Sequence, residues 1–246
     1  MHYFSYRAGS AAYHPHATWG ALLRQAISLR SQLRGMQAAS PGREVDLVGH
    51  SQGGVVIDAF LQLVYDPTDP TLPPLGTVVT LASPHQGSPV ASLAGALRST
   101  AAGREGLAAL RHATGDGIPP GDARALRQLA EDSPLLRRLW RRRLPEHVDL
   151  TSISGADDVI VPANHTAARG GAEVTVNPDG ISDHTGILRD PAATAAVRLA
   201  LEGRAPPCVA LVDGVRGAVE PVVISRVEHS IDALARHGGQ LVPTLP

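Results

Sequence analysis

The chain has 246 residues, of which 43% are hydrophobic and 18% are charged, as expected for a globular protein with a sizeable core. Its formal net charge of −1 argues against a general nucleic-acid-binding protein. Its single cysteine, Cys208, excludes an intrachain disulfide. Because neither a signal peptide nor an apolar run of membrane-spanning length is found, we expect the sequence as written to stay in the cytoplasm.

Apolar spacing predicts strands that alternate with helices along most of the chain. The first expected elements are a strand at His2–Tyr6, a helix capped by Thr18, a strand at Val45–Val48, a helix from Ser51 to about Tyr65 and a strand at Thr77–Leu81. The later ones are strands at Val148–Ser154 and Glu173–Val176 and a helix at Ala192–Leu201. This alternation predicts an α/β fold with a mostly parallel sheet and helices on both faces.

The segment from about residue 88 to residue 145 interrupts the alternation, because it contains only helical patterns with glycine and proline breaks. A helical insertion of this kind is typical of a lid. Its densest charge run, Arg137–Arg143, is either a solvated helix face or a lid face attracted to anionic lipid or substrate. We predict one α/β domain at 1–205, with a helical lid at about 88–145, and a C-terminal tail of unknown role at 206–246.

A glycine–any–serine–any–glycine motif lies at Gly49–Gly53, between a predicted strand and a predicted helix. A serine on so sharp a turn adopts a strained backbone, and its hydroxyl stands above the sheet. Side chains at Gly49 and Gly53 would collide, so both positions are expected to require glycine. The strand and helix distinguish the motif from a chance match and predict Ser51 as a nucleophile. The following helix points its free N–H groups and the positive end of its dipole at any oxyanion formed nearby.

A serine hydroxyl needs a base, and the base needs a carboxylate to orient it. The turn that ends the Val148–Ser154 strand carries the predicted carboxylate, Asp158, which lies three residues after Gly155 and four before Pro162. Its neighbour Asp157 is the alternative. His184 is the predicted base because it lies in a polar turn after the Glu173–Val176 strand. The three residues then follow in the chain order serine, aspartate, histidine.

Other histidines have different expected roles. His50 precedes the serine and is expected to pack at the elbow, since adjacent residues on a sharp turn diverge. His85 follows the next strand and is a candidate for shaping the acyl pocket or positioning the lid. His14 and His16 are two residues apart in a loop without a carboxylate at ligand spacing, so no metal site is predicted.

Four segments carry a family resemblance: Gly-His-Ser-Gln-Gly-Gly (49–54), Ala-Ser-Pro-His-Gln-Gly-Ser (82–88), Gly-Ala-Asp-Asp-Val-Ile-Val-Pro (155–162) and Asp-His-Thr-Gly-Ile-Leu (183–188). Together they resemble the α/β-hydrolase lipases and esterases, above all bacterial triacylglycerol-lipase-like and GPI inositol-deacylase-like enzymes. The resemblance spans about Tyr3 to Leu201. It implies a carboxylic ester as substrate and no cofactor, and the apolar lid helices favour a lipid or another hydrophobic ester.

The sequence departs from that family at its start. In the family, a strand and a loop with His-Gly precede the residues that match His2–Tyr6, and this loop supplies one oxyanion N–H. Here we expect the strand and the loop to be missing, while the Gln52 N–H is present. Three interpretations stay open: Met1 is a misassigned start, the product is weakened or inactive, or the loop after Tyr6 substitutes. A missing segment that carried a secretion signal would make the protein secreted.

The resulting hypothesis is a serine hydrolase of carboxylic esters that works through an acyl-enzyme. Two alternatives stay open, because this superfamily hosts many chemistries. One is a weakened or inactive homologue that binds acyl lipid or a protein partner, and the other is an acyltransferase or thioesterase with the same triad. The expected partner is a small-molecule ester or lipid rather than nucleic acid, with a membrane-surface contact through the lid left open. The oligomeric state does not follow from the sequence.

Overall fold

The computed structural model describes residues 2–4, 6, 15–106, 123–177 and 183–204. Within them, strands form one sheet in which every neighbouring pair is parallel and the spatial order is the chain order. The strands are β1 Val45–His50, β2 Leu75–Leu81, β3 Leu150–Gly155 and β4 Ala172–Val176. The predicted parallel sheet is therefore confirmed, with strand boundaries within two residues of those expected.

Helices connect and cover these strands. Before and between β1 and β2 lie α1 Pro15–Thr18, α2 Leu22–Ala39 and α3 Gln52–Leu63. Between β2 and β3 lie α4 Pro89–Arg98, α5 within 101–106, α6 Arg124–Leu129 and α7 Pro134–Trp140. Around β4 lie a 3-10 turn at Ala163–His165, α8 Asp183–Gly186 and α9 Pro191–Leu201. None of the described helices has the length and apolarity needed to cross a bilayer.

The sheet is covered on both faces because its strands have consecutive apolar residues, which point alternately to the two faces. On β2, Val78 packs into a cluster with α2, α3 and α7, whereas Val79 packs into a second cluster with α9. Both valines are completely buried. Helix α3 is the most deeply embedded, with Phe60 fully inaccessible at its centre. Truncating such a phenylalanine typically costs about 3–5 kcal/mol, so α3 is a firm support for the turn that precedes it.

The start of α2 differs from the prediction. The expected helix from Thr18 is broken, since α1 ends at Thr18 and α2 begins at Leu22. In a continuous helix the Thr18 carbonyl would accept the Leu22 N–H. Instead it accepts the side-chain amides of Gln25 and Gln52, and the Leu22 N–H donates to Gln128 Oε1. Side-chain amides therefore replace the helical hydrogen bond at this break.

Two further expectations concern the ends of the chain. The predicted strand at His2–Tyr6 is wrong for its described residues, 2–4 and 6, which have no strand structure. No neighbouring strand of the described sheet pairs with them, and an unpaired strand is not stable alone. The predicted tail, residues 206–246, lies outside the described residues.

The described part of the segment between β2 and β3 contains the helices α4 to α7. Its last helix, α7, is not separate from the core, because Leu136 and Leu139 are buried against the α3 side of the sheet. A lid movement therefore stays a prediction, and α7 is a packed helix of the domain in this conformation.

Candidate catalytic site

Ser51 occupies a strained turn between β1 and α3. Its backbone angles are φ 53° and ψ −129°, in a region that residues other than glycine rarely occupy. Two hydrogen bonds hold this turn: the Ser51 N–H donates to the Leu81 carbonyl (2.9 Å), and the Gly54 N–H donates to the Ser51 carbonyl (3.1 Å). The strain is thus sustained by the end of β2 and the first turn of α3.

The crowded glycines around Ser51 are Gly49 and Gly54, whereas the motif names Gly49 and Gly53. A Cβ at Gly49 would lie 2.7 Å from Ile57 Cδ1 and 2.8 Å from the Gly54 nitrogen, which supports the expected collision. At Gly53 the expectation is wrong, because the nearest atom is the Tyr6 hydroxyl at an ordinary 3.6 Å. Gly54 is the second crowded position, since its Cβ would lie 2.6 Å from that of Ser83.

A continuous hydrogen-bonded chain joins three of the predicted residues. The Ser51 hydroxyl lies 2.8 Å from His184 Nε2, and His184 Nδ1 lies 2.8 Å from Asp158 Oδ2. With the proton on Nδ1, the imidazole donates to Asp158 and accepts from Ser51. The residues come from three different strand ends, after β1, β3 and β4, at one edge of the parallel sheet.

Asp158 is the carboxylate that contacts His184, and it is completely buried. Its other oxygen, Oδ1, accepts the N–H groups of Ile160 (2.9 Å) and Val161 (3.0 Å). A buried carboxylate requires such donors, because an unpaired charge is costly in the interior. These bonds fix the orientation of the carboxylate towards His184, which lies on the short helix α8 and is itself almost buried.

His50 packs at the elbow and also contacts the backbone of His184. Its Nε2–H donates to the His184 carbonyl over 2.6 Å, and the two rings are 5.0 Å apart between centroids. Burial lowers the pKa of His50, because the charged imidazolium loses hydration; the bond to the His184 carbonyl acts in the opposite direction. Sequence reasoning missed this contact, since 134 residues separate its two partners.

Gln52 is the first residue of α3, so its N–H has no acceptor within the helix. Its side chain is held separately, with Nε2 donating to the Thr18 carbonyl and to Gln25 Oε1, both at 2.8 Å. The Gln52 side chain therefore bonds the segment where α1 ends and α2 begins to the turn at Ser51. The backbone N–H at this position is available as a donor to a negative charge near Ser51.

A second aspartate–histidine pair lies beneath the elbow. His85 Nδ1 is 3.4 Å from Asp58 Oδ2, and His85 Nε2 is 3.1 Å from the Thr80 hydroxyl. Asp58 also accepts from Gln62 Nε2 over 2.6 Å. All four side chains are buried, and a place for His85 in the acyl pocket stays a prediction. Asp58 was not predicted from the sequence, although a lone carboxylate in the apolar helix α3 is itself a signal of a buried partner.

Neither protein-family models nor curated proteins match the sequence. Solved structures do match. Lipase BlEst2 of Bacillus licheniformis in its propeptide form gives a TM-score of 0.53 at 20% identity, over 78% of this chain and 43% of that one. Its mature form gives 0.50 at 17% identity, over 73% and 74%. Phospholipase PlaB from Legionella pneumophila, in complex with thio-NAD, gives 0.50 at 15% identity, over 74% and 45%.

The parallel sheet in sequential order and its likeness to these structures decide the architecture. The chain has the α/β-hydrolase fold. The likeness extends to the fold alone at such identities, and the chain spans less than half the length of several matches, 28% in a second PlaB structure. Within the described part of this α/β-hydrolase fold, no group of His, Cys, Asp and Glu side chains has the arrangement of a metal site.

Proposed function

We propose that this chain hydrolyses carboxylic esters, with Ser51 as the nucleophile, His184 as the base and Asp158 as the carboxylate that orients His184. The observation that carries the proposal is the unbroken hydrogen-bonded chain from the Ser51 hydroxyl through His184 to the buried Asp158. A buried carboxylate stabilises the imidazolium that forms when His184 accepts a proton. The strained turn that presents Ser51 supports the same role.

The proposed reaction has two halves. Ser51 Oγ attacks the ester carbonyl while His184 Nε2 takes the hydroxyl proton, which gives a tetrahedral intermediate. That intermediate expels the alcohol, which leaves with the proton from His184, and Ser51 remains acylated. Water then attacks the acyl-enzyme with His184 again as base, and the carboxylic acid departs as the Ser51 hydroxyl is restored. The Gln52 N–H donates to the oxyanion in both halves.

A hydrophobic acyl group is the proposed part of the substrate that gives selectivity. Val159 and Ile160 directly follow Asp158 and are 49% and 37% exposed, and Leu188, four residues after His184, is 53% exposed. The Ser88 hydroxyl donates to the Ile160 carbonyl (2.6 Å). The start of α4, which contains the exposed Val90, therefore lies next to Ile160. Apolar surface beside a reactive centre favours an acyl chain over a polar substrate. The lipase and phospholipase names of two fold relatives agree with this class.

The test is hydrolysis of nitrophenyl esters of increasing acyl length, with acyl-CoA and alcohol acceptors in parallel. We expect turnover that rises with acyl length, and Ser51→Ala should lower it by on the order of 10⁶. Folded wild-type protein that hydrolyses no ester would favour an inactive acyl-binding homologue. A preference for thioesters, or transfer to the alcohol, would favour the thioesterase or acyltransferase alternative.

A pair of variants tests the hydrophobic acyl group separately. Leu188→Asn should reduce kcat/KM for long esters by about tenfold and leave acetate esters nearly unchanged, since only a long chain reaches the apolar surface. Ile27→Asn is the matched control, because Ile27 is an equally aliphatic exposed residue on α2. Equal acyl-length profiles for the two variants would overturn the acyl-chain assignment without affecting the proposed reaction.

A further inference from the structure

Helix α7 carries a concentration of exposed positive charge. Arginines on the helix and directly after it are all exposed: Arg137, Arg138, Arg141, Arg142 and Arg143. Trp140 lies among them with 43% of its surface exposed. Arg169 adjoins the same surface, because its Nη1 donates to the Trp140 carbonyl over 2.8 Å. We call these six arginines and Trp140 the arginine patch.

The patch is not neutralised within the part of the chain that the structure describes. The arginine ion pairs found there are Arg34–Asp69 and the pairs of Arg198 and Arg204 with Glu202. Two pairs of like charge, 137 with 141 and 138 with 142, are four residues apart across the C-terminal end of α7 and repel each other. The chain as a whole has a net charge of −1, so this is a local excess. A ligand with negative charge would relieve the repulsion.

The helix that carries the patch is packed on the core, and clefts lie between its arginines. Leu136 and Leu139, on the opposite side of α7, are 3% and 1% exposed and fix the helix on the core. A cleft of about 440 Å³ is lined by Pro134 and four of the arginines. A second cleft of about 210 Å³ shares two of those arginines, contains one carboxylate, Asp132, and continues to His85 and Gln86. Anionic groups can therefore enter between arginines on a helix whose position on the core is fixed.

We propose that the arginine patch docks the protein on a lipid bilayer with anionic headgroups. Guanidinium groups bind lipid phosphate, and an indole among them is the side chain that favours the boundary between water and hydrocarbon. The patch is less suited to nucleic acid, because a helix of seven residues is only about 10 Å long and can contact few phosphates of a strand. Docking does not depend on the proposed ester hydrolysis, so the two are tested separately.

The experiment measures sedimentation of the full chain, carrying Ser51→Ala, with vesicles of equal parts phosphatidylglycerol and phosphatidylcholine. Binding should be strong, should weaken as salt is raised, and should be absent with phosphatidylcholine alone. Replacing Arg137, Arg138, Arg141 and Arg142 with glutamine should weaken binding by on the order of a hundredfold. The control replaces exposed arginines outside the patch by the same number of glutamines: Arg24, Arg43, Arg189 and Arg198. It should lose far less affinity, although the net charge changes equally.

Trp140 supplies an independent readout, because the chain has only two tryptophans. In the Trp19→Phe variant, emission from Trp140 should shift to the blue on anionic vesicles and stay unchanged on phosphatidylcholine. Equal losses for the patch and control variants would overturn the proposal. So would displacement by inorganic phosphate at constant ionic strength, which indicates a small-anion site. Tighter binding to duplex DNA than to the vesicles in the same buffer would identify a nucleic-acid surface instead.

Discussion

Two aspartate–histidine pairs lie near the same turn, and their surroundings differ. In the first, Asp158 and His184 are 2.8 Å apart and His184 reaches the Ser51 hydroxyl. In the second, Asp58 and His85 are 3.4 Å apart and His85 reaches the Thr80 hydroxyl inside the sheet. Ser51 is half-buried at a strand end, whereas Thr80 is only 1% exposed. Access to the third hydroxyl, rather than the pair itself, therefore distinguishes the proposed catalytic triad from the buried pair.

The strongest separation of the two pairs is expected from their aspartates. Asp158→Asn should lower kcat/KM for ester hydrolysis by about 10⁴, because an amide no longer fixes the His184 tautomer or stabilises the imidazolium. The measurement is steady-state hydrolysis of the best nitrophenyl ester.

Asp157→Asn is the matched control, since Asp157 is the adjacent acid of the same turn. It should change kcat/KM by less than about threefold, because Asp158 makes the contact with His184. The reverse result would reassign the carboxylate to Asp157.

The second pair should affect folding more than turnover. Asp58→Asn should lower the free energy of unfolding by about 1–3 kcal/mol, because an amide replaces the buried carboxylate that lies beside His85 and accepts the Gln62 hydrogen bond. Urea unfolding at neutral pH measures this. Activity well below the melting temperature should fall less than tenfold. A stable Asp58→Asn protein with activity as low as Asp158→Asn would give both pairs a catalytic role.

A smaller effect is expected from the contact between His50 and the His184 backbone. His50→Phe keeps a ring but removes the donor, so His184 should be held less well and kcat should fall about tenfold, the equivalent of one hydrogen bond. KM should change little. His147→Phe is the control, because His147 is an exposed histidine bonded to Tyr65 away from the candidate triad. Equal kcat values for the two variants would contradict the positioning role.

The smallest effect concerns pH. Burial lowers the pKa of His50 in the folded protein below its ordinary value of 6.5. Between pH 6.5 and the lowered pKa, His50 is therefore protonated in the unfolded chain and neutral in the folded chain. Protonation of the unfolded chain lowers the free energy of unfolding, so stability is unaffected by His50 above about pH 6.5 and decreases as the pH falls below it. Urea unfolding between neutral and mildly acidic pH should show a steeper loss for the wild type than for His50→Phe. Parallel curves would mean that His50 titrates normally in the folded state.

Local patterns account for what could be predicted from the sequence. A strand, a serine between glycines and a helix lie within twenty residues, so Ser51 and the start of its strand were predictable. Asp158 and His184 were predictable because each follows a strand, and parallel strands end at one edge of a sheet. These signals need no knowledge of distant contacts.

Contacts across the chain account for what could not be predicted. The Thr18 carbonyl bonds to side chains from two other segments, so a helix that looks continuous is broken. The crowded glycine is Gly54 rather than Gly53, because Ser83 from the end of the next strand packs against it. Asp58 and His85 become a pair only after α3 lies on the sheet. Each depends on packing that residue spacing does not encode.

The most direct test of the central claim is reaction of the folded protein with a fluorophosphonate, followed by mass spectrometry of its peptides. Because His184 is proposed to activate the Ser51 hydroxyl, Ser51 alone should be phosphonylated. His184→Ala should slow the reaction by at least about a thousandfold. Other serines, including the buried Ser83, should remain unmodified. Folded protein that stays unlabelled at Ser51, or labels equally fast after His184→Ala, would contradict the proposed triad.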